Sequence, residues 1–555
     1  MASVSTGGDG SAPEPLDDLA RFPQVIGLTP GVLVRHRARI LDPATAVPGA
    51  RGRRPDSTAY RGNTLMVPLA IARDENAIAR FNEVLAPLGV ELVVQLPTTD
   101  RWRAASETFD PEFGVPVLLW LRADAIADQA PDPWSVLAYL RRKVDAEDLK
   151  GIGLEHLAVA ASLDGYGAVF GIGAPVGNGV PVGNGVPVGN GVGVPALGTG
   201  SRNPVRLFLP RPHRRPPAEL FSGRRPVIAV LDTGIGEHPW LSVGDLASDP
   251  VVEVSHEFQG LLHDLEATIT QDSGGVLPSL QSPTEERDVL YPLLGLTDSH
   301  SGHGTFVTGL AFQNCPDARV LSLRVLHTDG VCTDGTVLLA LEWLRARVQH
   351  ALDNNLPDQL VDIVSISLGF YPEHSDTQTG LLLAGAVRKL TDLGVVVVAA
   401  AGNDATTRRF VPAAMALNAD GSNDGNPLLI AVGALNACGK SVAAFSNEGD
   451  WVTRWAPGNA VVSTVPLWQG WAGPDIAAEH VGPGGLRRTS PDPDDLISGF
   501  AVWAGTSFAT PVIAGMIARH LTCLADAMEV ADRRDRAARA RDLTDADLTA
   551  LGWRS

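Results

Sequence analysis

The spacing of apolar positions divides the chain into a front part of alternating and amphipathic segments and a rear part with uninterrupted apolar runs. In the front part, residues 65–71 predict a strand. Asp74 then caps a helix that gathers Ala77, Ile78, Phe81, Val84, Leu85 and Leu88 on one face, and residues 90–94 return as a second strand. Residues 115–121 predict a third. Asp132 and Pro133, a cap followed by a first-turn proline, open a helix carrying Trp134, Leu137, Leu140 and Val144, and residues 153–161 close the set as a fourth strand. The order β-α-β-β-α-β is that of a ferredoxin-like domain. In the rear part, residues 227–231 and 395–401 are apolar throughout, as in strands buried on both faces of a mostly parallel sheet, and residues 319–326 add another strand. Residues 337–348 and the run after Pro511 predict covering helices. The expected fold class is α/β, a mostly parallel sheet with helices on both faces, preceded by a smaller α+β domain.

Breakers and composition set the boundaries. Residues 1–60 read as an irregular wrap, 61–165 as the ferredoxin-like domain, 166–225 as linker and basic arm, 226–525 as the α/β domain and 526–555 as a solvated helical tail. In the linker, Pro175-Val176-Gly177-Asn178-Gly179-Val180 recurs at 181–186 and 187–192; proline removes donors and Gly-Asn-Gly favours turns, so a tether is expected. Arg206, Arg211, Arg214, Arg215, Arg224 and Arg225 then read as an arm lying on the chain's own α/β domain. Residues 255–299 and 467–500 read as long loop insertions, the second a candidate lid.

The net charge of −19 argues against nucleic acid or an anionic membrane as partner. No apolar run approaches the ~20 residues that a membrane helix needs. Residues 1–10 lack the basic and apolar regions of an export signal, so a cytoplasmic location is expected, with Cys315, Cys332, Cys438 and Cys523 as free thiols. Cys315 and Cys332 are close enough in sequence to pair if the protein is exported. The remaining histidines His238, His256, His263, His300, His327, His350 and His374 lack metal spacing and read as surface or satisfied groups.

Candidate chemistry lies at strand ends and helix starts. Gly505-Thr506-Ser507 opens an apolar helix, where unpaired N–H groups and the helix dipole suit a negatively charged intermediate. A nucleophilic Ser507 needs a base, a carboxylate to orient that base, and donors for the oxyanion. Asp232 follows the apolar run 227–231, His303 stands between Gly302 and Gly304, and Asn403 follows the run 395–401.

Asp232-Thr233-Gly234, His303-Gly304-Thr305 and Gly505-Thr506-Ser507, in this order, resemble the subtilisin-like serine proteases. Ala401-Gly402-Asn403, Ser365-Ile366-Ser367-Leu368-Gly369 and Ala456-Pro457-Gly458 are similar to further segments of that family. The resemblance implies a serine endopeptidase in which His303 is general base to Ser507, Asp232 orients His303, and Asn403 binds the oxyanion. It implies a substrate peptide adding itself as a strand between the segment with Gly330 and Cys332 and the segment Ser367-Leu368-Gly369, beside Ala401 and Gly402. Phe306 and Phe508 stand where many relatives carry His and Met. No cofactor is implied for the chemistry; a calcium site often found in the family has no carboxylate at Leu241, so metal binding stays open. The expected partners are a protein or peptide substrate and, in cis, the chain's own N-terminal domain as folding chaperone and inhibitor. Two other readings stay open: a peptide cyclase or ligase that intercepts the acyl-enzyme, and a regulated signalling or defence protease whose N-terminal domain is a binding module.

Overall fold

The structure, a computed structural model, describes residues 28–49, 52–123, 125, 132–162, 202–205, 207, 209–270, 280–286, 298–374, 382–417, 425–467, 480–481, 484–485, 487–488 and 498–553. The hexapeptide tether and most of the candidate lid lie outside these residues.

The front part begins earlier than its sequence pattern suggests. Residues 1–60 read as irregular, yet α1 (Pro30–Arg35), capped by the Thr29 side chain, and β1 (Ala38–Leu41) are formed, and β1 pairs with β2 (Thr58–Pro68). A short helix α2 (Leu69–Ala72) leads into α3 (Glu75–Leu85), where the Asp74 carboxylate accepts from the N–H groups of Asn76 and Ala77. Then follow β3 (Val90–Val93), α4 (Asp100–Ser106), β4 (Gly114–Leu121), α5 (Pro133–Lys143) and β5 (Gly153–Ala160). Asp132 caps α5 through Ser135 N–H, as its sequence position predicts. The strand order β5-β2-β4-β3, all antiparallel, is the split βαβ arrangement. α1, β1, α2 and α4 were absent from the sequence pattern, each too short to show a period, and residues 69–71, expected in the first strand, belong to α2.

After β6 (Asn203–Pro204) come β7 (Val227–Asp232), β8 (Val252–Val254), α6 (His256–Thr270), α7 (His303–Asn314), β9 (Arg319–Arg324), β10 (Val331–Thr333), α8 (Asp334–Asp353), β11 (Ile363–Ile366) and β12 (Leu368–Gly369). The rest is α9 (Leu382–Asp392), β13 (Val396–Ala400), β14 (Leu429–Leu435), β15 (Arg454–Pro457), β16 (Val461–Thr464), β17 (His480–Val481), β18 (Arg487–Arg488), β19 (Phe500–Trp503), α10 (Thr506–Leu521) and α11 (Val530–Ala550). Seven strands form one parallel sheet in the order β15-β14-β13-β11-β7-β9-β8. Every residue of β7, β11, β13 and β14 is buried, which is why these strands lack polar alternation. The chain leaves β7 toward β9 on one side and enters β11 on the other, so a crevice opens beyond the carboxyl ends of these central strands.

Two sequence expectations need correction. The loop expected at 255–299 contains α6, whose Phe258, Leu261, Leu262, Leu265 and Ile269 are buried at helical spacing. The tail at 526–555 is not merely solvated: α11 buries Arg533, Arg536, Ala537, Ala540 and Leu548. Its arginines surround Asp362, to which Arg536 donates at 3.0 Å, while Arg224 from the basic arm donates at 2.7 Å to each carboxylate oxygen. The arm does lie on the chain's own α/β domain, with Arg215 on Asp317 and Arg225 on Asp249. The four cysteines are free, as the sequence reading expected, and Cys315 and Cys332 do not pair.

The ferredoxin-like sheet rests on α8, and the apolar core runs without a break from Leu65, Met66 and Val115 into Val337, Leu338 and Leu341. Among the described residues no helix is long and apolar enough to cross a membrane.

Candidate active site

Asp232 is the last residue of β7, and His303 the first of α7. Their approach depends on glycine. A Cβ on Gly304 would lie 2.1 Å from the Gly234 carbonyl oxygen, so only glycine lets α7 start against the Asp232-Thr233-Gly234 turn. Gly302 caps α7 at φ 80°, a left-handed conformation that favours glycine. The Thr233 hydroxyl accepts from Gly304 N–H at 2.9 Å, and His303 Nδ1 lies 2.7 Å from Asp232 Oδ1. With the carboxylate on Nδ1, the other ring nitrogen Nε2 is left as the acceptor. It has no hydrogen-bond partner among the described residues.

The His303 ring is wholly buried among aromatic groups: Trp503 at 5.5 Å edge-on and Phe508 at 5.2 Å, with Phe306 at 4.5 Å from Phe508. The two departures from the family pattern, Phe306 and Phe508, thus pack as an apolar bed for the imidazole. His300 is 5.8 Å away, and burial, then the charge of His303, pushes its pKa down to about 3, so it stays neutral. Together with His238, His327 and His374 it is buried, so of the two readings, surface or satisfied group, these four are not surface groups. Glu285 accepts from Gly302 N–H at 2.7 Å, and burial pushes its pKa up to about 8. Near neutral pH that carboxyl is largely uncharged and adds no second anion beside Asp232.

Ser507 is the second residue of α10. Asn403, just beyond β13, is oriented by Thr506, whose N–H and hydroxyl both donate to Asn403 Oδ1 at 2.9 Å. That assigns Nδ2 as the free end, buried and without a partner among the described residues. An orphaned buried donor is costly unless it serves an acceptor that comes and goes.

The acceptor position beside it is filled from within the chain. Ser507 N–H donates to the Ala161 carbonyl at 2.8 Å, and Ala161 N–H donates to the Ser367 carbonyl at 2.9 Å. Ala160 N–H donates to the Gly330 carbonyl at 2.8 Å. Behind these contacts β5 is a full strand between two edges, antiparallel to β10 with Ala158 opposite Cys332, and to β12 with Ala160 opposite Leu368 and Val159 opposite Gly369. Ser507 Oγ meanwhile donates to the Ser367 carbonyl at 2.9 Å and is turned away from His303. The expected substrate edges Gly330, Cys332, Ser367, Leu368 and Gly369 therefore come together, but around the chain's own segment. Ala401 and Gly402 stand behind, tied to Val432 and to the Thr506 hydroxyl.

A family model described as the subtilase family matches residues 223–551. The chain belongs to the subtilase family. The match reaches the end of α11, so the α/β unit extends past the boundary at 525 expected from the sequence. The serine protease AprX of Bacillus subtilis (strain 168) is similar to this subtilase at 26% identity over 323 residues, 54% of this chain and 58% of that protein. Subtilisin E of the same organism is 27% identical over 226 residues, 38% of this chain and 52% of that protein. The chain spans little more than half the length of these curated relatives. A solved structure of a cold adapted subtilisin-like serine proteinase shares 20% identity with the subtilase at a TM-score of 0.31, covering 54% of this chain and 77% of that one. Among the described residues of the subtilase, no group of three or more His, Cys, Asp or Glu could hold a metal ion.

Sequence reasoning missed Ala161, Ser162, Glu285, His300 and Trp503. Only the first two had a usable signal: Ala161 ends the last predicted strand and Ser162 follows it, ahead of the tether.

Proposed function

We propose that this chain is a serine endopeptidase held by its own N-terminal domain, and that the first bond it cuts is Ala161–Ser162. The observation that carries this reading is the Ala161 carbonyl resting on Ser507 N–H beside the unpartnered Asn403 amide, at the end of a strand bonded on both edges. A backbone carbonyl held there is placed as a substrate for attack.

Rotation about the Ser507 Cα–Cβ bond carries Oγ from the Ser367 carbonyl toward His303 Nε2. His303 takes the hydroxyl proton as Oγ attacks the Ala161 carbonyl carbon, and Asp232 stabilises the imidazolium. The oxyanion is bonded by Ser507 N–H and by Asn403 Nδ2, which gains the partner it lacks. Collapse breaks the Ala161–Ser162 bond; His303 returns the proton to the Ser162 nitrogen, leaving Ala161 esterified to Ser507. Water, deprotonated by His303, then releases the Ala161 carboxylate. The new carboxyl end still belongs to β5, whose ladders and apolar contacts remain, so the cleaved domain stays in the cleft as a competitive inhibitor. No cofactor enters any step.

The test is the intact mass of the purified full chain beside Ser507→Ala. Wild type is expected as two fragments joined at Ala161/Ser162, and Ser507→Ala as one intact chain. An uncut wild type, or the same cut in Ser507→Ala, overturns the proposal.

A further inference from the structure

In the β5–β12 ladder Val159 lies opposite Gly369, so Ala161, two residues on, presents its side chain on the same face as Gly369, to a pocket whose walls are Ser367-Leu368-Gly369 and Ala401-Gly402-Asn403. Residue 161 is fixed by its N–H on the Ser367 carbonyl and its carbonyl on Ser507 N–H. Each wall carries a glycine, Gly369 in the first and Gly402 in the second, which without a neighbour would leave a deep slot. The slot is filled instead by Phe410. A Cβ on Gly369 would lie 2.5 Å from Phe410 Cε1, and a Cβ on Gly402 would lie 3.1 Å from Phe410 Cγ, so the ring is pressed against the backbone of both walls.

Phe410 is fixed in this position. It is 1% exposed and packs on Tyr371, with ring centroids 5.0 Å apart. The next residue, Val411, exchanges both backbone hydrogen bonds with Phe370, at 2.9 and 3.0 Å. Tyr371 is itself held by Asp404 and by the Asn447 amide, so neither the ring nor its support yields easily. The residue occupying the pocket is Ala161, 3% exposed and in the same apolar cluster as Phe410, Tyr371 and Ala401.

We infer that Phe410 closes the floor of this pocket and restricts cleavage to peptides with a small residue, Ala, Gly or Ser, immediately before the cut bond. This rests on the endopeptidase reading above and adds its substrate class. A longer side chain reaches the ring before its backbone can settle on Ser367 and Ser507. The misplacement affects the carbonyl under attack, so the loss falls on turnover as well as on binding.

The experiment uses the full chain and its own bond. Ala161→Phe and Ala161→Leu are made in wild type and in Phe410→Ala, and the rate of cutting after residue 161 is followed by intact mass. Pocket discrimination of this kind is typically about 10- to 200-fold. The readout is the ratio of cutting in Ala161→Phe to cutting after Ala161 within each background: it is expected to be at most about one tenth in wild type and to rise toward one in Phe410→Ala, whatever the absolute rates. Phe410→Val, a smaller cavity, is expected to rescue Ala161→Leu but not Ala161→Phe; cutting after Ala161 in either variant reports that the fold is intact. Equal cutting after Phe and Ala in wild type, or rescue by neither variant while Ala161 is still cut, overturns the role of Phe410 alone. Absence of any cut in wild type overturns the endopeptidase reading and this inference with it.

Discussion

Ser507 donates its proton to the Ser367 carbonyl and His303 Nε2 accepts nothing among the described residues, so the reactive pair stands one side-chain rotation from contact. The rest of the set is already built: the Asp232–His303 bond, the aromatic bed, and the Asn403 amide aligned by Thr506. Ser507→Ala, His303→Ala and Asp232→Asn are each expected to slow self-cleavage and peptide hydrolysis by roughly 10⁴- to 10⁶-fold, without additivity because the three act as a unit. Rate measurements on the single and double variants check this, and losses that multiply would contradict it. Asn403→Ala is expected to lose about 10²- to 10³-fold in kcat with little change in KM, since its amide bonds the oxyanion more strongly than the ground-state carbonyl. Steady-state kinetics on a peptide ending in Ala before the cut separate the two constants. These four residues were legible in the sequence because each has a local reason to be where it is: Asp232 and Asn403 end buried strands, and His303 and Ser507 begin buried helices behind glycine. Phe410 and Glu285 were not, since a phenylalanine in an Arg-rich loop and a glutamate among prolines acquire their meaning only from what folds against them.

At the level of elements, legibility followed burial. Strands β7 and β13 are covered on both faces, and a continuous apolar run announces that. Helix α6 carries a clear apolar face at Phe258, Leu261, Leu262 and Leu265, but its histidines, acids and Gly260 blurred the period into an apparent loop. Helix α11 was legible as a helix but its burial was not, because its inner face includes the arginines Arg533 and Arg536 beside Ala537, Ala540 and Leu548. Burial of Arg533 and Arg536 is tolerable only because Asp362, at the start of β11, receives them together with Arg224, pairings that span 138 to 174 residues of sequence. Burial raises the pKa of Asp362, but the charge and hydrogen bonds of Arg224, then of Arg536 and Arg533, overcome it and hold the carboxyl well below the usual range. Asp362→Ala leaves three guanidinium groups buried without their shared anion and also removes the acceptor of Val227 N–H at the head of β7. The expected loss is about 3–5 kcal/mol of stability, measured by urea unfolding of the Ser507→Ala background so that self-cleavage does not intervene. A loss below about 1 kcal/mol, the range of an exposed pair, would mean the cluster is solvated.

Across the whole molecule, the contact between the two parts has a proton in it. His156, on β5 and wholly buried, has Nδ1 at 3.0 Å from Asp334 and Nε2 at 2.9 Å from Glu373, both from the α/β unit, and stacks on Phe370. Burial pushes its pKa down, but the hydrogen bonds and charges of Asp334 and Glu373 outweigh that and raise it to about 9. Arg141 at 3.4 Å from Glu373 is the other cation facing the pair. In an N-terminal domain freed by the proposed cut at Ala161–Ser162, the imidazole returns toward its ordinary value of ~6.5, so docking takes up a proton between the two values. The folded pKa is the higher one; the stabilisation is therefore complete below about pH 6.5 and disappears as pH rises through about 9. Affinity of the cleaved domain for the rest of the chain is expected to fall by up to about tenfold per pH unit across that window, seen as loss of co-elution of the two fragments between pH 7 and pH 10. His156→Gln keeps one donor, cannot carry the charge, and is expected to weaken docking at pH 6 while removing most of the pH slope. Fragments of wild type that separate as readily at pH 6 as at pH 10 would place the retaining force in the apolar surface and the strand ladders alone.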